Sequence, residues 1–595
     1  MNERARTTAA VAELPRWDLS DLFPGPDSAE LGSALTTAAE KAKAFSTAYR
    51  SRLSALDGAR LGQAVAEYER LQDLTGRIAA FAQLLYAGDM SDPAITRFYQ
   101  TIQERLTDIS SELLFFALEL NRIGDAELEA KLTAPELARY APWLRDIRAF
   151  RPHQLSDELE KILHEKHVVG RAAWNRLFDE TMTALRFPVD GKELTSSEVV
   201  NLLTDRDAET RRKAGGALSA VLSANIRLFA LVTNTLAKDK EIEDRWRAFP
   251  WPVSSRNLAN FVEDEVVEAL VAAVRAAYPR LSHRYYKLKA RWMDKDHLDW
   301  WDRNAPLPAD EDKRISWSEA RSLVLEAYHA FSPELAAVGR RFFERPWIDV
   351  PPRPGKAPGA FAHPTVPSAH PYLLLNYHGK VRDVMTLAHE LGHGVHQMLS
   401  APRGALMADT PLTLAETASV FGEMLTFRAL LRAEQDPQRR RIMLASKVED
   451  MLNTVVRQIA MHGFETKVHD ERRKGELSAE RLGEIWMETQ KEALGPALKL
   501  TSDYAVLWSY IPHFIHVPFY VYAYAFGDCL VNSLYAVYQE AEEGFARKYL
   551  ELLSAGGTKR HKELLQPFGL DASNPEFWAK GLGVIEGFVD ELERA

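Results

Sequence analysis

The segment from Val384 to Leu399 constrains the fold of this chain more than any other part of the sequence. Apolar residues recur in it at intervals of three and four, which predicts an α-helix with one apolar stripe formed by Val384, Ala388, Leu391, Val395, Met398 and Leu399. The segment also contains the pattern His-Glu-x-x-His at His389, Glu390 and His393. Side chains four residues apart share one helix face, so both histidines are expected opposite the stripe, with Glu390 beside them.

Two imidazoles one helical turn apart predict a catalytic metal site. Neutral imidazole suits Zn²⁺, which in catalytic sites has three protein ligands and a further position for water. The metal lowers the pKa of the water, and Glu390 lies where a general base is needed. The alternative is a chance match on a surface helix. With 17 histidines in 595 residues, however, such a match is expected in roughly a few of a hundred random chains.

Composition limits the classes of protein to which this chain can belong. Its 595 residues exceed one ordinary core, and its net charge of −10 gives no general attraction to nucleic acid or to anionic lipid. A single cysteine, Cys529, excludes an internal disulfide framework and fits a reducing compartment.

The N-terminus lacks the apolar core of a signal peptide. The apolar stretch 514–538 contains Asp528 and other polar residues, so we interpret it as a buried helix and not as a membrane span. We therefore expect a soluble cytoplasmic protein with no nucleic-acid or membrane partner.

Most of the remaining sequence predicts a mainly α fold. Residues 28–132 have helical apolar spacing, with individual helices at 71–86 and 98–123, and further helices are expected at 208–244, 264–277, 285–293 and 316–331 and through most of 405–595. Residues 186–194 predict a hairpin with an Asp190-Gly191 turn, followed by a helix capped by Thr195 or Ser197. We expect an N-terminal helical lobe over residues 1–195 and a catalytic domain over residues 196–595.

Two parts of the chain are expected to be irregular or extended. The short amphipathic segment 17–23 predicts an attachment of the N-terminus to the body of the protein. Prolines and glycines interrupt residues 345–380, which leaves two candidate strands, 359–363 and 372–377, in a small sheet around 355–380. An edge strand there could pair with a peptide backbone, or it could only form a wall of the cleft.

Several residues are candidates for a third metal ligand. His396 follows His393 too closely, and the longer metal motif of astacin-like and matrix proteases requires a histidine where this chain has Leu399. Asp409 lies in a predicted loop, where a carboxylate is usually solvated. Glu416 opens a second helix and completes the zinc pattern of two histidines and one glutamate.

Glu416 also has a purely structural interpretation, because Thr413-Leu-Ala-Glu416 matches a capping box. Glu423 lies seven residues further along the same predicted helix face. It could orient a ligand histidine through a hydrogen bond, or it could be an ordinary exposed glutamate.

The chain resembles the oligoendopeptidase F group of the M3 (thimet-type) zinc metallopeptidases. The resemblance rests on the runs 376–393, 415–419, 511–514 and 519–524 and on the Trp17-Asp-Leu opening, and so spans nearly the whole chain. It implies a helical, two-lobed fold with a deep substrate channel, one zinc ion at the channel floor, and cleavage of short peptides but not of folded proteins. By position, His389, His393 and Glu416 would be the ligands and Glu390 the general base. Ala523 departs from the glutamine expected in the tyrosine-rich helix, so the resemblance predicts the chemistry more closely than the substrate preference.

The segment 508–524 is rich in hydrogen-bond donors for the oxyanion that peptide hydrolysis builds. His513, Tyr520 and Tyr524 share one face if the helix persists, although Pro518 interrupts it. His516, Tyr520 and Tyr524 form an alternative face, and an aromatic stripe that only packs into the core is also possible. The resemblance favours His513 and the tyrosines.

The residues and the resemblance together predict a zinc-dependent endopeptidase acting on short unstructured oligopeptides. One alternative is a zinc carboxypeptidase of similar helical fold, which would need an anchor for the substrate carboxylate. Another is a non-catalytic peptide-binding protein with a vestigial metal site, which the intact set of His389, Glu390, His393 and Glu416 argues against.

Overall fold

The computed structural model describes residues 14–167, 169–307, 314–541 and 543–594. Residues 1–13, where we expected no signal peptide, lie outside this described part. The fold is mainly α with a few very short sheets, so the predicted fold class is confirmed. Within the described residues no single helix is long and apolar enough to cross a membrane, and one bent pair of helices, Ala208–Ala224 with Ile226–Trp246, meets that length and composition requirement.

The described chain groups into two compact units, each assembled from three segments. The first takes its residues from Met1–Arg151, Asp312–Ala433 and Ala541–Phe568, and the second from Pro152–Glu311, Glu434–Glu540 and Gly569–Ala595. These breaks differ from the expected boundary at residue 195, which stays a prediction, as does the substrate channel.

The first unit consists of helices around one three-stranded sheet. Its α-helices are Ala29–Tyr49, Gly58–Gly88, Pro93–Arg122, Asp125–Lys131, Pro135–Ala138, Ala141–Arg148, Trp317–Phe331, Pro333–Glu344, Val381–Ser400, Leu412–Ala415, Thr417–Ala433, Phe545–Leu553 and His561–Leu565. The predicted helices at 71–86 and 98–123 are confirmed as parts of longer ones. Side-chain oxygens at Ser28, Asp57 and Asp92 accept hydrogen bonds from free amides at the starts of the first three helices.

The second unit is also helical. Its α-helices are Asp157–His167, Arg171–Ala184, Ser196–Asn201, Ala208–Ala224, Ile226–Trp246, Ser254–Ala259, Asp264–Ala277, Ser282–Trp292, Pro437–Thr454, Val456–Arg472, Ala479–Leu494, His513–His516, Tyr522–Glu540 and Pro575–Arg594. Its short strands are Phe187–Val189, paired antiparallel with Lys192–Leu194, and Leu298–Asp299, paired parallel with Leu498–Lys499. The predicted hairpin is confirmed, and Asp190 and Gly191 at its turn have φ of 50° and 77°.

Two details of the second unit refine the sequence expectations. Of the two predicted caps, Thr195 forms the capping box, with Glu198. The helical structure predicted over 208–244 is present as two helices, Ala208–Ala224 and Ile226–Trp246, which are bent by 66° at Asn225. The side-chain amide of Asn225 donates a hydrogen bond to the Val221 carbonyl at 2.9 Å. Such a local side-chain bond competes with the backbone hydrogen bonds of a continuous helix.

A small sheet precedes the helix Val381–Ser400. The central strand Tyr372–Leu374 pairs parallel with Ile348–Asp349 and antiparallel with Phe361–His363, which forms an edge. Trp17 contacts Tyr372 edge-on at 6.0 Å, and the Tyr372 hydroxyl donates to the Asp18 carbonyl at 2.8 Å. The predicted strands and the predicted attachment of the N-terminal segment are both confirmed.

The helix Val381–Ser400 confirms the predicted amphipathic helix. Val384, Ala388, Leu391 and Val395 of its apolar stripe are completely buried. The helix packs most closely on Thr417–Ala433 at Gly392, where an added Cβ would lie 2.5 Å from the Ala418 carbonyl oxygen. The absence of a side chain at this position therefore lets the two backbones approach.

We predict that Gly392→Ala destabilises the protein, because the two helices would have to separate to accommodate the methyl group. The expected loss is about 1–3 kcal/mol, as for other forced insertions into a packed core. Thermal and urea unfolding of the variant measure it.

Gly216→Ala is the matched control for this substitution. Gly216 is exposed on the helix Ala208–Ala224, and its Cβ would meet nothing within 4 Å. That variant should be up to about 1 kcal/mol more stable than the parent, because alanine favours helix. Equal effects of the two substitutions would contradict the packing argument.

Candidate metal centre

Two helices of the first unit bring two histidines and one glutamate to a single point. Suitable donor atoms of His389, His393 and Glu416 all lie within 4.8 Å of one another. The Nε2 atoms of His389 and His393 are each 3.4 Å from Glu416 Oε2. All three side chains are half-buried. Two nitrogens and one carboxylate oxygen form a donor set that suits Zn²⁺.

The position of Glu416 follows from the local chain. Glu416 ends the short helix Leu412–Ala415 and immediately precedes Thr417–Ala433, the helix that packs at Gly392. The Ser419 hydroxyl donates to Glu416 Oε2 at 2.7 Å and holds the carboxylate in place. The N-cap of the short helix is Pro411, so Thr413 does not occupy the N-cap position that the alternative capping box requires.

Charged neighbours perturb the titration of both kinds of donor. Burial would lower the pKa of His389, but the hydrogen bond with Glu423 and the charges of Glu416 and Glu390 outweigh it and raise this pKa to about 9. Burial would raise the pKa of Glu416, but the hydrogen bond and charge of His393 and the charge of His389 lower it to about 2. The carboxylates therefore favour a positive charge at this point, as a bound cation would supply.

Glu423 contacts one of the two candidate ligand histidines on its far ring nitrogen. Its Oε2 lies 3.4 Å from His389 Nδ1, while His389 Nε2 faces Glu416. A carboxylate on the far ring nitrogen fixes the orientation of an imidazole and increases its basicity. The geometry matches the orienting role that the sequence offered for Glu423.

Glu390 lies beside the two histidines and is only 8% exposed. Burial raises its pKa, partly opposed by the charges of His389 and His393 and by a hydrogen bond from the backbone N–H of Ala362. Ala362 belongs to the edge strand Phe361–His363, and its carbonyl accepts a 3.5 Å hydrogen bond from Gln397. A carboxyl group whose pKa is raised by burial is a stronger base than an exposed one and is suited to both taking and returning a proton.

The other two ligand candidates lie elsewhere in this unit. His396 is buried, its Nε2 is 3.2 Å from the Thr410 hydroxyl, and it also bonds the Ala415 backbone, so it ties the helix to the residue before Glu416. Burial and His393 lower the pKa of His396 to about 4. Asp409 lines a cavity of about 460 Å³ that extends along the helix from His393 to Ser400.

The second unit contains the predicted hydrogen-bond donors. The single buried helix predicted for residues 514–538 is wrong, because His513–His516 and Tyr522–Glu540 are separate helices. His513, Tyr520 and Tyr524 nevertheless come together across the break. His513 Nε2 is 3.2 Å from the Tyr524 hydroxyl, and the rings of Tyr520 and Tyr524 are 5.2 Å apart.

Two neighbours that could have replaced members of this cluster lie apart from it. His516 Nε2 pairs with Asp179 Oδ1 at 2.8 Å. Tyr522 is completely buried, and its hydroxyl accepts a 2.8 Å hydrogen bond from the Asn260 side chain. His516 and Tyr522 thus form hydrogen bonds with Asp179 and Asn260, outside the cluster of His513, Tyr520 and Tyr524.

Sequence reasoning missed three groups at the metal centre. Ser419 contacts Glu416 from three residues along the helix, a spacing that could have suggested the contact. His396 was considered only as a ligand, although its role is to join two segments. The Ala362 amide has no sequence signal, because a backbone donor can come from any residue type.

Two family models match the chain. The model described as Peptidase family M3 matches residues 201–584, and the model described as Oligopeptidase F matches residues 119–187. The chain is 26% identical over 591 residues to an oligopeptidase PepF of Bacillus subtilis, covering 97% of this chain and 86% of that protein. It is 25% identical over 591 residues to an oligoendopeptidase F homolog of Borreliella burgdorferi, covering 98% of each.

Solved structures show the same fold. A putative peptidase from Chlamydophila abortus superposes with a TM-score of 0.87 at 22% identity, covering 98% of this chain and 99% of that one. An oligoendopeptidase-F from Enterococcus faecium superposes with a TM-score of 0.72 at 22% identity, covering 95% and 98%. Since the M3 model alone covers well over half of the sequence, the chain belongs to peptidase family M3.

Proposed function

We propose that this protein is a zinc-dependent endopeptidase that hydrolyses internal bonds of short, unstructured oligopeptides in the cytoplasm. The observation that carries the proposal is the convergence of His389, His393 and Glu416, with Glu390 buried beside them, in a member of peptidase family M3. The names of the relatives, oligopeptidase and oligoendopeptidase, support short peptides as substrates. The single free cysteine, Cys529, is buried and suits a reducing compartment.

His389, His393 and Glu416 would hold one zinc ion per chain. The donor set supports zinc, because two imidazoles and one carboxylate are the ligands of a common class of catalytic zinc site. When bound, zinc polarises the scissile carbonyl and makes water more acidic. Glu423 orients the His389 ring, and Ser419 orients the Glu416 carboxylate.

Glu390 is the proposed general base and acid. Burial raises its pKa, which makes the carboxylate a stronger base for the proton of the attacking water, and the carboxylic acid can then return that proton to the leaving amine. The Ala362 N–H fixes the direction of the carboxyl group. His513, Tyr520 and Tyr524 are the proposed donors to the oxyanion, because each has a polar atom and the three side chains contact one another.

The proposed peptide lies extended along the edge strand Phe361–His363. Ala362 directs its N–H and C=O away from the central strand, toward Glu390 and Gln397, so this edge faces the metal helix and a paired substrate backbone would replace these two contacts. A strand of three residues can pair with only a short length of substrate backbone. The neighbouring cavity of about 460 Å³ has the size of a pocket for substrate side chains.

We predict that Glu390→Gln nearly abolishes turnover and leaves metal content intact, because the amide cannot take up a proton and Glu390 is not a proposed ligand. The expected fall in kcat is about 10²–10⁴-fold. Kinetics with a quenched short peptide and metal analysis of the same sample measure the two effects. Glu326→Gln, an exposed residue on Trp317–Phe331, is the control and should be fully active. Turnover at the parent rate by Glu390→Gln would refute the assignment.

We predict that zinc binding releases about one proton at neutral pH. His389 has a pKa of about 9 without metal and is therefore protonated, whereas a ligand imidazole must be neutral. The apparent affinity should rise about tenfold per pH unit until the pH reaches that pKa, and then level off. Calorimetric titration in two buffers of different ionisation enthalpy measures the released proton.

Glu423→Gln tests the cause of this proton release. The substitution removes a charge and a hydrogen bond that raise the pKa of His389. A smaller fraction of His389 should then be protonated at neutral pH, so zinc binding should release less than one proton. Glu416→Ala should bind zinc far more weakly at every pH, because one ligand is lost. Proton release that is unchanged in Glu423→Gln would contradict the role of that carboxylate.

We predict that the enzyme cleaves a short peptide blocked at both ends at an internal bond. An endopeptidase needs no terminal charge, whereas a carboxypeptidase needs the free carboxylate of its substrate. Mass spectrometry of the products from the amidated peptide and from its free-acid counterpart measures the difference. A folded protein of similar composition is the size control and should remain intact. Activity confined to the free-acid peptide would favour the carboxypeptidase.

A further inference from the structure

The segment between the helices His513–His516 and Tyr522–Glu540 contains a residue in an unusual conformation. Phe519 has φ of 60°, in the left-handed region that residues with a Cβ rarely adopt. Its side chain is completely buried, and its ring packs against those of His462 and His469 at 5.9 and 4.9 Å. Such a conformation persists only where the surroundings impose it.

The peptide unit that joins Pro518 to Phe519 is held at both ends. Arg256 Nε donates to the Pro518 carbonyl at 3.2 Å, and the Phe519 N–H donates to Glu465 Oε1 at 2.8 Å. The two side chains come from different helices, Ser254–Ala259 and Val456–Arg472. Because both bonds act on one planar peptide unit, together they fix its orientation. They therefore set the direction in which the chain leaves toward Tyr520.

The flanking residues are anchored in the same way. Arg171 donates to the Ile515 carbonyl at 3.1 Å, and the Asn260 side chain donates to the Tyr522 hydroxyl at 2.8 Å. These bonds attach one side of the segment to the core of the second unit. The side chains of His513, Tyr520 and Tyr524 remain half-buried and contact one another.

Burying the carboxyl group of Glu465 is costly, and packing alone does not explain a glutamate at this position. It is 2% exposed, and its second carboxyl oxygen has no hydrogen-bond partner among the described residues. Burial raises its pKa to about 8, although the Phe519 N–H and the charges of Arg256 and Lys240 act in the opposite direction. A leucine would fit a core without this desolvation cost. What a leucine cannot do is accept a hydrogen bond from Phe519.

We propose that Glu465 and Arg256 are positioning residues for catalysis, which hold the Pro518–Phe519 peptide unit so that Tyr520 stays in contact with His513 and Tyr524. This inference rests on the proposed function, in which these three side chains stabilise the oxyanion. Neither Glu465 nor Arg256 is proposed to touch substrate. Their effect passes through the backbone of one strained residue.

The experiment compares Glu465→Leu, Glu465→Gln and Arg256→Met in the zinc-loaded enzyme with a quenched short peptide. Glu465→Leu removes the acceptor, whereas Glu465→Gln keeps one in an amide oxygen. We expect kcat to fall about 10–100-fold in Glu465→Leu and in Arg256→Met, with KM and zinc content nearly unchanged, because a displaced oxyanion donor affects mainly the transition state. Glu465→Gln should retain most of the parent kcat.

Glu471→Leu is the matched control. Glu471 lies on the same helix but is paired with Arg481 at 2.7 Å, near the surface and away from the strained residue. This variant should keep the parent kcat. Reduced kcat in it equal to that of Glu465→Leu would overturn the proposal, because loss of any glutamate from the helix would then suffice.

A double substitution separates positioning from general stability. If Glu465 acts through Tyr520, adding Glu465→Leu to Tyr520→Phe should lower kcat much less than it does in the parent enzyme. Full additivity would overturn the proposal.

If Tyr520→Phe and His513→Ala lower kcat while Glu465→Leu and Arg256→Met do not, the positioning inference fails and the proposed donors stand. If Tyr520→Phe and His513→Ala are themselves fully active, the donor assignment in the proposed function fails.

Discussion

The candidate metal centre depends on how closely two helices of the first unit can approach. Gly392 allows the backbone of Val381–Ser400 to contact that of Thr417–Ala433, and any larger residue there would collide with the Ala418 carbonyl. Glu416 immediately precedes the second helix, so a change in the distance between the helices moves its carboxylate relative to both imidazoles. The packing of these two helices thus places the three donor atoms within 4.8 Å of one another.

The charges at this centre are arranged for a cation. Glu390, Glu416 and Glu423 surround His389, and their combined effect on its pKa outweighs the effect of burial. This balance favours the protonated histidine, and the same negative charges would stabilise a bound cation. The preference for positive charge is therefore a property of the protein itself, so protons would compete with the proposed metal for the same site.

Local patterns predicted the helices and the candidate ligands, whereas contacts between distant segments could not be predicted. Apolar periodicity located Val381–Ser400, and the chemistry of zinc left few candidates for the third ligand, but only the packing shows Glu416 beside the histidines. Pro518 signalled a break in the later segment. Nothing in the sequence signalled that Phe519 would adopt a left-handed conformation, for which glycine is the usual residue. The sequence therefore left open whether His513 or His516 lies beside Tyr520 and Tyr524.

The two groups of candidate functional side chains are fixed by different physical means. The proposed ligands on packed helices are placed by side-chain volume, so a single added methyl group is enough to disturb them. The cluster of His513, Tyr520 and Tyr524 includes a residue from an irregular segment, whose backbone groups must find partners outside regular structure. Buried polar side chains supply those partners at the Pro518–Phe519 unit, and the cost of burying them is the reason such residues are uncommon in a core. A strained segment held by polar bonds can orient a side chain in a direction that no regular helix would provide.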